Sequence, residues 1–150
     1  MTFAPTRVQA NRMMPASPDR EVVAAFRRNG GKVGGAFGDS DLLLLHHTGA
    51  KTGAQYVTPL LYWTVGADSV AVLASNYGAP RHPAWYHNLL AHPDTVVEIG
   101  SETWPVRAYV ATTDERRRIL DHMKRTTRGV AAASNRTRRE LPVVVLRRML

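Results

Sequence analysis

Short apolar runs along the chain predict five or six β-strands. Leu42 to His46 is continuously apolar, which is typical of a strand that is buried on both faces. Residues rich in β-branched and aromatic side chains flank Gly66-Ala67-Asp68-Ser69, which predicts a hairpin. Gly100-Ser101 predicts a second, two-residue hairpin turn of the type that begins with glycine. The hairpin arms and the last strand are predicted at Tyr56 to Val65, Val70 to Ser75, Thr95 to Ile99, Glu102 to Ala111 and Pro142 to Leu146.

Three segments have the signals of helices. Ser17 and Pro18 suit the N-cap and first position of a helix that Asn29-Gly30-Gly31 would end. A short helix is predicted from Pro83 to Ala91, closed by His92-Pro93. Thr113-Asp114-Glu115 is predicted to open a further helix, with an apolar stripe of Ile119, Leu120 and Met123, followed by a polar, Arg-rich stretch to Glu140.

Successive hairpins with inserted helices favour an α+β fold built on a mainly antiparallel, barrel-like sheet. A doubly wound parallel sheet would need a strict alternation of strand and helix, which this sequence lacks. With 150 residues and 44% apolar content, one domain from residue 18 to 150 is expected. Residues 1 to 17, which contain Pro5 and Pro15, are predicted to form an irregular arm.

The chain has no cysteine, which excludes disulfides, thiol catalysis and Cys-ligated metal sites and is compatible with a reducing cytoplasm. The formal net charge of +8 is uneven: residues 1–37 carry +4, residues 38–100 carry −3 and residues 101–150 carry +7. Basic ends suggest nucleic-acid binding as an alternative function. However, Arg116 to Arg118 and Arg136 to Arg139 have no interleaved aromatic residues on which bases would stack, so no nucleic-acid partner is predicted.

The spacing of residues in the sequence argues against two familiar classes of site, a P-loop and a histidine metal site. Lys51-Thr52 resembles the end of a phosphate-binding P-loop, but that motif needs glycine before the lysine, and Ala50 stands there. His82, His87 and His92 are spaced by five residues, which would direct them to different faces of a helix. No metal site is predicted.

Two polar turns, residues 47–53 and 75–86, have the composition of ligand-binding loops. Their glycines allow positive φ angles and a close approach of the backbone to a ligand. Hydroxyls, amide N–H groups and one cation in each loop, Lys51 and Arg81, provide an anion-binding surface.

A series of short motifs runs in order from about residue 20 to residue 146. The motifs are Gly30 to Gly35, Lys51-Thr52-Gly53, Thr58-Pro59-Leu60, Ala74-Ser75-Asn76, His82 to Leu89, Ala91-His92-Pro93 and Leu141 to Val145. This series resembles the deazaflavin-dependent nitroreductase family. The resemblance implies a split β-barrel like those of flavin reductases and pyridoxamine-phosphate oxidases, and the cofactor coenzyme F420, a deazaflavin with a phosphate and an oligoglutamate tail. It also implies an oxidoreductase that transfers a hydride from the reduced coenzyme to a small organic acceptor, a quinone or a nitro compound.

The resemblance also implies roles for particular residues. Two candidates act on the substrate: Ser75 would orient a substrate oxygen and Tyr62 would donate a proton, with Tyr77, Tyr86 and solvent as other proton sources. A core role is the alternative for Trp85. The implied cofactor-binding residues are Lys51, Thr52 and Gly53 for the phosphate and tail, Thr58, Pro59 and Leu60 for the ring, Ala74, Ser75, Asn76 and Gly78 for its polar edge or linker, Trp85 behind the ring, and Asn88, whose amide would fasten the loop.

Two positions depart from the family pattern. Family members commonly have arginine directly before the lysine and again three residues after the Thr-Gly pair, where this chain has Ala50 and Tyr56. A split-barrel protein that binds flavin mononucleotide (FMN), or a non-catalytic one that binds lipid or cofactor, is therefore the alternative. Residues 126–139 contain no tyrosine, so the nitroimidazole specificity of one family member is not implied.

Partners and location follow from the same observations. A small-molecule acceptor is expected, a cytoplasmic location is predicted, and a homodimer is left open. The N-terminal arm has Phe3, Met13 and Met14 among arginines, which leaves open a peripheral contact with an anionic membrane.

Overall fold

The structure is a computed structural model that describes residues 17–33 and 41–149. The predicted arm therefore lies outside the described residues, apart from Ser17. The elements in chain order are α1 (Ser17–Arg28), β1 (Leu42–Thr48), β2 (Gln55–Leu61), β3 (Trp63–Gly66), β4 (Ser69–Leu73), a 3-10 turn (Asn76–Gly78), α2 (Ala84–Ala91), β5 (Asp94–Ile99), β6 (Glu102–Val110), α3 (Thr113–Thr126), α4 (Val130–Asn135) and β7 (Val143–Arg148).

Within the described residues, seven strands form one sheet in the order β2-β1-β5-β6-β7-β4-β3, and every pair is antiparallel. The predicted antiparallel, barrel-like α+β class is confirmed. The edge strands β2 and β3 are consecutive in the chain and are separated by Tyr62 alone. Because a single residue joins the two edges, the sheet must curl back on itself.

The predicted strand from Tyr56 to Val65 is wrong as one element. Its first half pairs with β1 at one edge of the sheet, and its second half pairs with β4 at the other edge. Composition is strand-like throughout, so propensity alone gives no sign of the change of partner at Tyr62. The hairpin from β3 to β4 around Gly66 to Ser69 is confirmed.

The register of β1 explains its continuous apolar run, because both faces of this strand are buried. Leu43 and Leu45 face the main core, together with Trp85 and Leu89 of α2. Leu42 and Leu44 face the opposite side, where Phe26 of α1 covers them. We call the first of these sides the inner face, and by register it also carries Tyr56, Thr58 and Leu60 of β2.

The predicted helices are present, with two differences. The N-cap of α3 is Thr112, one residue earlier than the predicted start, and it forms a reciprocal capping box with Glu115. The Arg-rich stretch after α3 contains a helix that was not predicted, α4. Its apolar content is limited to Val130 and three alanines, which gives a weak periodic signal.

The second hairpin is also confirmed, with Ile99 opposite Glu102 and Gly100 at φ +60°. The last strand begins one residue after the predicted start and continues to Arg148. Among the described residues, no helix combines the length and apolarity that crossing a bilayer requires.

Candidate functional site

The first loop, Gly49 to Ala54, joins β1 to β2 and is closed by its own backbone. Gly49 N–H donates to Ala54 O at 2.7 Å, and Gly53 N–H donates to Gly49 O at 2.9 Å. Gly53 has φ +74°, which favours glycine, and a Cβ on Gly49 would lie 2.7 Å from Oγ1 of Thr52. Lys51 is exposed and forms no ion pair with any described residue. The loop therefore presents an unpaired ammonium on a compact turn.

A chain of hydrogen bonds fastens this loop to α2 and to β2. Ala50 N–H donates to Oδ1 of Asn88 at 2.9 Å, and Nδ2 of Asn88 lies 3.0 Å from Nδ1 of His47. Nε2 of His47 is 2.8 Å from Oγ1 of Thr58. The structure thus places the Asn88 amide on the first loop, while the part of Asn88 in cofactor binding stays a prediction.

His47 and Asn88 are the buried polar side chains of the described core, at 5% and 8% exposure. Burial lowers the pKa of His47 to about 4, and the neighbouring His46 contributes in the same direction. The imidazole is therefore neutral at physiological pH. Tyr56 stacks on it with ring centroids 5.3 Å apart, so the residue that replaces a family arginine packs on the histidine ring.

The three β2 residues predicted to line a cofactor ring, Thr58, Pro59 and Leu60, are all half-buried. Pro59 lies opposite Leu44, and among the described strands β2 pairs with β1 alone. A proline is tolerated there because an edge strand has one side without a ladder partner. Thr58 and Leu60 lie on the inner face and Pro59 points to the other side, so the structure does not bring all three side chains to one surface.

The second loop, residues 74–83, has an unusual backbone. Asn76, Tyr77 and Gly78 have φ angles of +46°, +58° and +79° in succession. Left-handed conformations cost a non-glycine residue about 1–2 kcal/mol, and the cost at Tyr77 is not reduced by a short polar side chain. Nδ2 of Asn76 donates to Arg81 O at 3.0 Å, which folds the loop over itself.

Two arginines after α4 hold the second loop in this conformation. Arg139 donates to the carbonyl oxygens of Ser75 at 2.7 Å, Ala79 at 2.8 Å and Ala74 at 3.3 Å. Arg136 donates to Tyr77 O at 2.9 Å. Arg139 has no carboxylate partner among the described residues, and burial lowers its pKa, although a guanidinium remains charged.

Three aromatic side chains cluster where the second loop meets α2. The ring centroid of His82 is 4.7 Å from that of Tyr86 and 5.8 Å from that of His87, and Nδ1 of His82 lies 2.8 Å from Nη1 of Arg139. The prediction that His82 and His87 point apart is wrong, because His82 precedes α2 and helical spacing does not apply to it. Burial, Arg139 and His87 lower the pKa of His82. Across residues 17–33 and 41–149, no three side chains of the metal-binding types lie close enough to hold an ion.

Trp85 and Tyr62 both belong to the main core. Trp85 is only 6% exposed and packs with the inner-face residues, as the alternative core role expects. Tyr62 packs partly buried against the same cluster. Burial, followed by the charge of Asp41, raises the pKa of Tyr62, so its phenol keeps its proton at neutral pH.

The structure joins the first loop, β2 and α2 through His47 and Asn88, and the second loop leads directly into α2. Sequence reasoning missed His47 and Arg139 as functional residues. His47 follows Leu43 and Leu45 at a spacing of two, so its inward direction could have been read from the strand period. Nothing near Arg139 in the sequence shows that it folds back on residues 74–82.

An antiparallel sheet whose two edge strands are joined by a single residue, with inserted helices, defines a split-barrel protein. The sequence model of the F420H(2)-dependent quinone reductase family matches residues 18–148. This chain therefore belongs to that family, and the predicted class, a deazaflavin-dependent oxidoreductase, is confirmed.

Individual relatives agree. The F420H(2)-dependent quinone reductase of Mycobacterium tuberculosis is 36% identical over 129 residues, covering 83% of this chain and 86% of its own length. A second protein of that organism, named provisionally for the same activity, is 42% identical over 105 residues, covering 70% and 87%. The solved F420-H2 dependent reductase FDR-A superposes with a TM-score of 0.64 at 29% identity, covering 71% of this chain and 93% of that one. Another solved structure, titled a domain-swapped dimer, has a TM-score of 0.66 at 25% identity, covering 85% and 94%.

Proposed function

We propose that this protein transfers a hydride from reduced coenzyme F420 to a quinone. Family membership supplies the reaction class, and the observation that carries the assignment to this chain is the first loop. That loop has Lys51, which forms no ion pair with a described residue, the glycines Gly49 and Gly53, and a backbone anchored to α2 through Ala50.

The donor set of the first loop fits an anionic cofactor tail. A lysine ammonium is a strong point-charge partner for phosphate or carboxylate oxygens. The two positions where the family commonly has arginine do not add charge here. Ala50 N–H is occupied by Asn88, and Tyr56 stacks on His47. Lys51 therefore carries most of the electrostatic attraction in the first loop.

Residues of this chain bind and orient two flat molecules, the deazaflavin ring and the quinone. When bound, reduced F420 supplies the hydride. Thr58 and Leu60 on the inner face of β2 line the ring site, and Ser75 on the second loop orients the acceptor oxygen. Conversion of a quinone to a hydroquinone adds one hydride and one proton, and the protonated Oη of Tyr62 is the donor we propose, with solvent as the alternative source.

Titration of the purified protein with F420 and with FMN, followed by fluorescence quenching, tests this assignment. We expect saturable binding of F420, weaker or no binding of FMN, and oxidation of reduced F420 that depends on added quinone. Preference for FMN would support the flavin-binding alternative. Binding of neither cofactor would support a non-catalytic barrel.

The oligomeric state of the protein and its location in the cell are further parts of the proposal. A homodimer is supported by the solved relative whose title describes a domain-swapped dimer. Light scattering of the full chain should give twice the mass of one chain, and a monomer mass at micromolar concentration would contradict this. The cytoplasmic location and the membrane contact of the arm remain predictions from the sequence.

A further inference from the structure

We infer that His47 and Asn88 are positioning residues that hold the hydroxyl of Thr58 as a hydrogen-bond donor toward a ligand on the inner face of β2. The inference rests on the proposed function for the identity of that ligand. The geometry around Ala50 fixes the direction of each hydrogen bond in the series from Ala50 through Asn88 and His47 to Thr58.

The first direction is fixed by the backbone. Ala50 N–H can only donate, so the Asn88 atom 2.9 Å from it must be the amide oxygen, Oδ1. With Oδ1 directed at Ala50, the other end of the amide, Nδ2, faces Nδ1 of His47 at 3.0 Å. A flipped amide would set two donors against each other at Ala50, which loses the bond that the buried Asn88 side chain makes there.

The second direction follows from the first. Nδ2 of Asn88 can only donate, so Nδ1 of His47 must be the unprotonated, accepting nitrogen. The ring is neutral in its 5%-exposed position, so its single hydrogen lies on Nε2. Nε2–H then donates to Oγ1 of Thr58 at 2.8 Å.

The third step concerns what is left on Thr58. Its oxygen accepts from His47, so its own hydrogen must go to another acceptor, and none of the described residues provides one. Thr58 is half-buried on the inner face of an edge strand. The hydroxyl hydrogen is therefore available to a carbonyl or phosphate oxygen of a bound molecule.

Burial makes this arrangement stiff. Asn88 lies in the middle of α2 at 8% exposure, and Tyr56 stacks on the His47 ring. Reversal of any one bond would leave a buried donor without an acceptor, so the three side chains keep one arrangement. Because His47 already holds the hydroxyl oxygen, the Thr58 side chain loses little freedom when the ligand binds.

The main test is a double-mutant cycle on F420 affinity. Thr58→Val removes the hydroxyl and keeps the shape of the side chain, and we expect the Kd for F420 to rise by about threefold to tenfold. His47→Phe keeps the ring that stacks on Tyr56 but releases Thr58, and we expect a loss of similar size. The double variant should bind no more weakly than either single variant, because both changes remove one effect.

Two controls separate positioning from general disruption. Thr58→Ser keeps the hydroxyl and should retain nearly wild-type affinity. Thr103→Val removes an exposed hydroxyl on β6, which β1 and β5 separate from β2 in the sheet, so F420 binding should not change. Independent losses that multiply in the double variant, or unchanged affinity in His47→Phe, would overturn the inference.

A readout without coenzyme distinguishes this inference from the proposed function. Nitrogen NMR of the ligand-free protein should show His47 with a proton on Nε2 and none on Nδ1, and Asn88→Ala should remove that preference. A proton on Nδ1 in the wild-type protein would overturn the inference even if F420 binds. Absence of F420 binding by the wild-type protein would instead defeat the proposed function and, with it, the ligand assigned to Thr58.

Discussion

The two loops next to α2 are stabilised by different kinds of groups. The first loop is held by neutral groups, the Ala50 N–H, the Asn88 amide and the His47 ring, and its single cation, Lys51, has no ion-pair partner in the described part of the chain. The second loop is held by the cations Arg136 and Arg139, whose donors are used on its carbonyl oxygens. Positive charge in the sequence therefore does not identify the anion site, because arginines near the second loop serve as structural clamps.

Glycine replacements should reveal the largest difference between the loops. At Gly78 a Cβ would meet the backbone oxygen of Ala133 at 2.6 Å, and φ is +79°. Gly78→Ala should lower the free energy of unfolding by about 3 kcal/mol, from left-handed strain plus the clash. In the first loop the Cβ of Gly49→Ala would come closest to Oγ1 of Thr52, a side-chain atom, at 2.7 Å, and would meet Tyr56 and Ala54 at ordinary contact distances, so a smaller loss of about 1 kcal/mol is expected.

The control for this pair is Gly129→Ala. Gly129 has φ +97° but nothing within 4 Å of an added Cβ, so it isolates the backbone strain. Chemical denaturation of the three variants gives the order directly. A Gly78 variant no less stable than the Gly129 variant would show that the second loop is not wedged against α4.

Lowering the pH should reduce the stability that His47 contributes next to the first loop, while the arginines that hold the second loop, Arg136 and Arg139, stay charged. His47 has a pKa of about 4 when folded against 6.5 when unfolded, so the unfolded chain binds more protons between these values. The stability is fully present above pH 6.5 and falls by about 3 kcal/mol as the pH drops through 4. Guanidiniums do not titrate in this range.

His47→Phe isolates that contribution from the carboxylates that also titrate in acid. The free energy of unfolding of the variant should vary less between pH 6.5 and 4 than that of the wild-type protein, measured by urea denaturation. Parallel profiles for the two proteins would mean that His47 is not buried in its neutral form.

Removal of a clamp should come next in size. Arg139→Ala breaks the bonds to Ser75, Ala79 and Ala74, and we expect a loss of about 2 kcal/mol. The neighbouring Arg138 is exposed and serves as the matched control, with Arg138→Ala expected within about 0.5 kcal/mol of wild type. Equal effects of the two changes in thermal unfolding would contradict the structural role of Arg139.

The smallest effect on stability, but a clear effect on binding, is expected at Lys51. Lys51→Ala should weaken F420 binding about tenfold, equivalent to about 1.4 kcal/mol, and leave the melting temperature unchanged. Lys124→Ala, an exposed lysine on α3, should change neither. Unchanged F420 affinity in the Lys51 variant would show that the tail is held elsewhere.

Sequence patterns predicted the elements whose signals are local. The run from Leu42, the glycine turns and the capped helices each depend on neighbouring residues, and these features appear in the structure near their predicted bounds. The division of the Tyr56 to Val65 segment was not predictable in this way, because it depends on which distant strand each half meets.

The same distinction applies to the site. Lys51 and its glycines could be recognised because the first loop is contiguous in sequence. The contact of Arg139 with Ser75 spans 64 residues, and the bond from Asn88 to His47 spans 41, so no local pattern contains either. Tyr56 shows the limit of family reasoning, since a departure from the expected arginine became a ring stacked on His47.

The single residue between β2 and β3 also limits how the molecule can adapt. Tyr62 ties the two margins of the sheet covalently, so their separation at that point cannot grow without breaking the chain. Ligands of different size must then be accommodated by the two loops rather than by movement of the edge strands β2 and β3. Variation in acceptor preference among engineered forms of this protein should therefore map to residues 49–54 and 74–83, not to the margins joined at Tyr62.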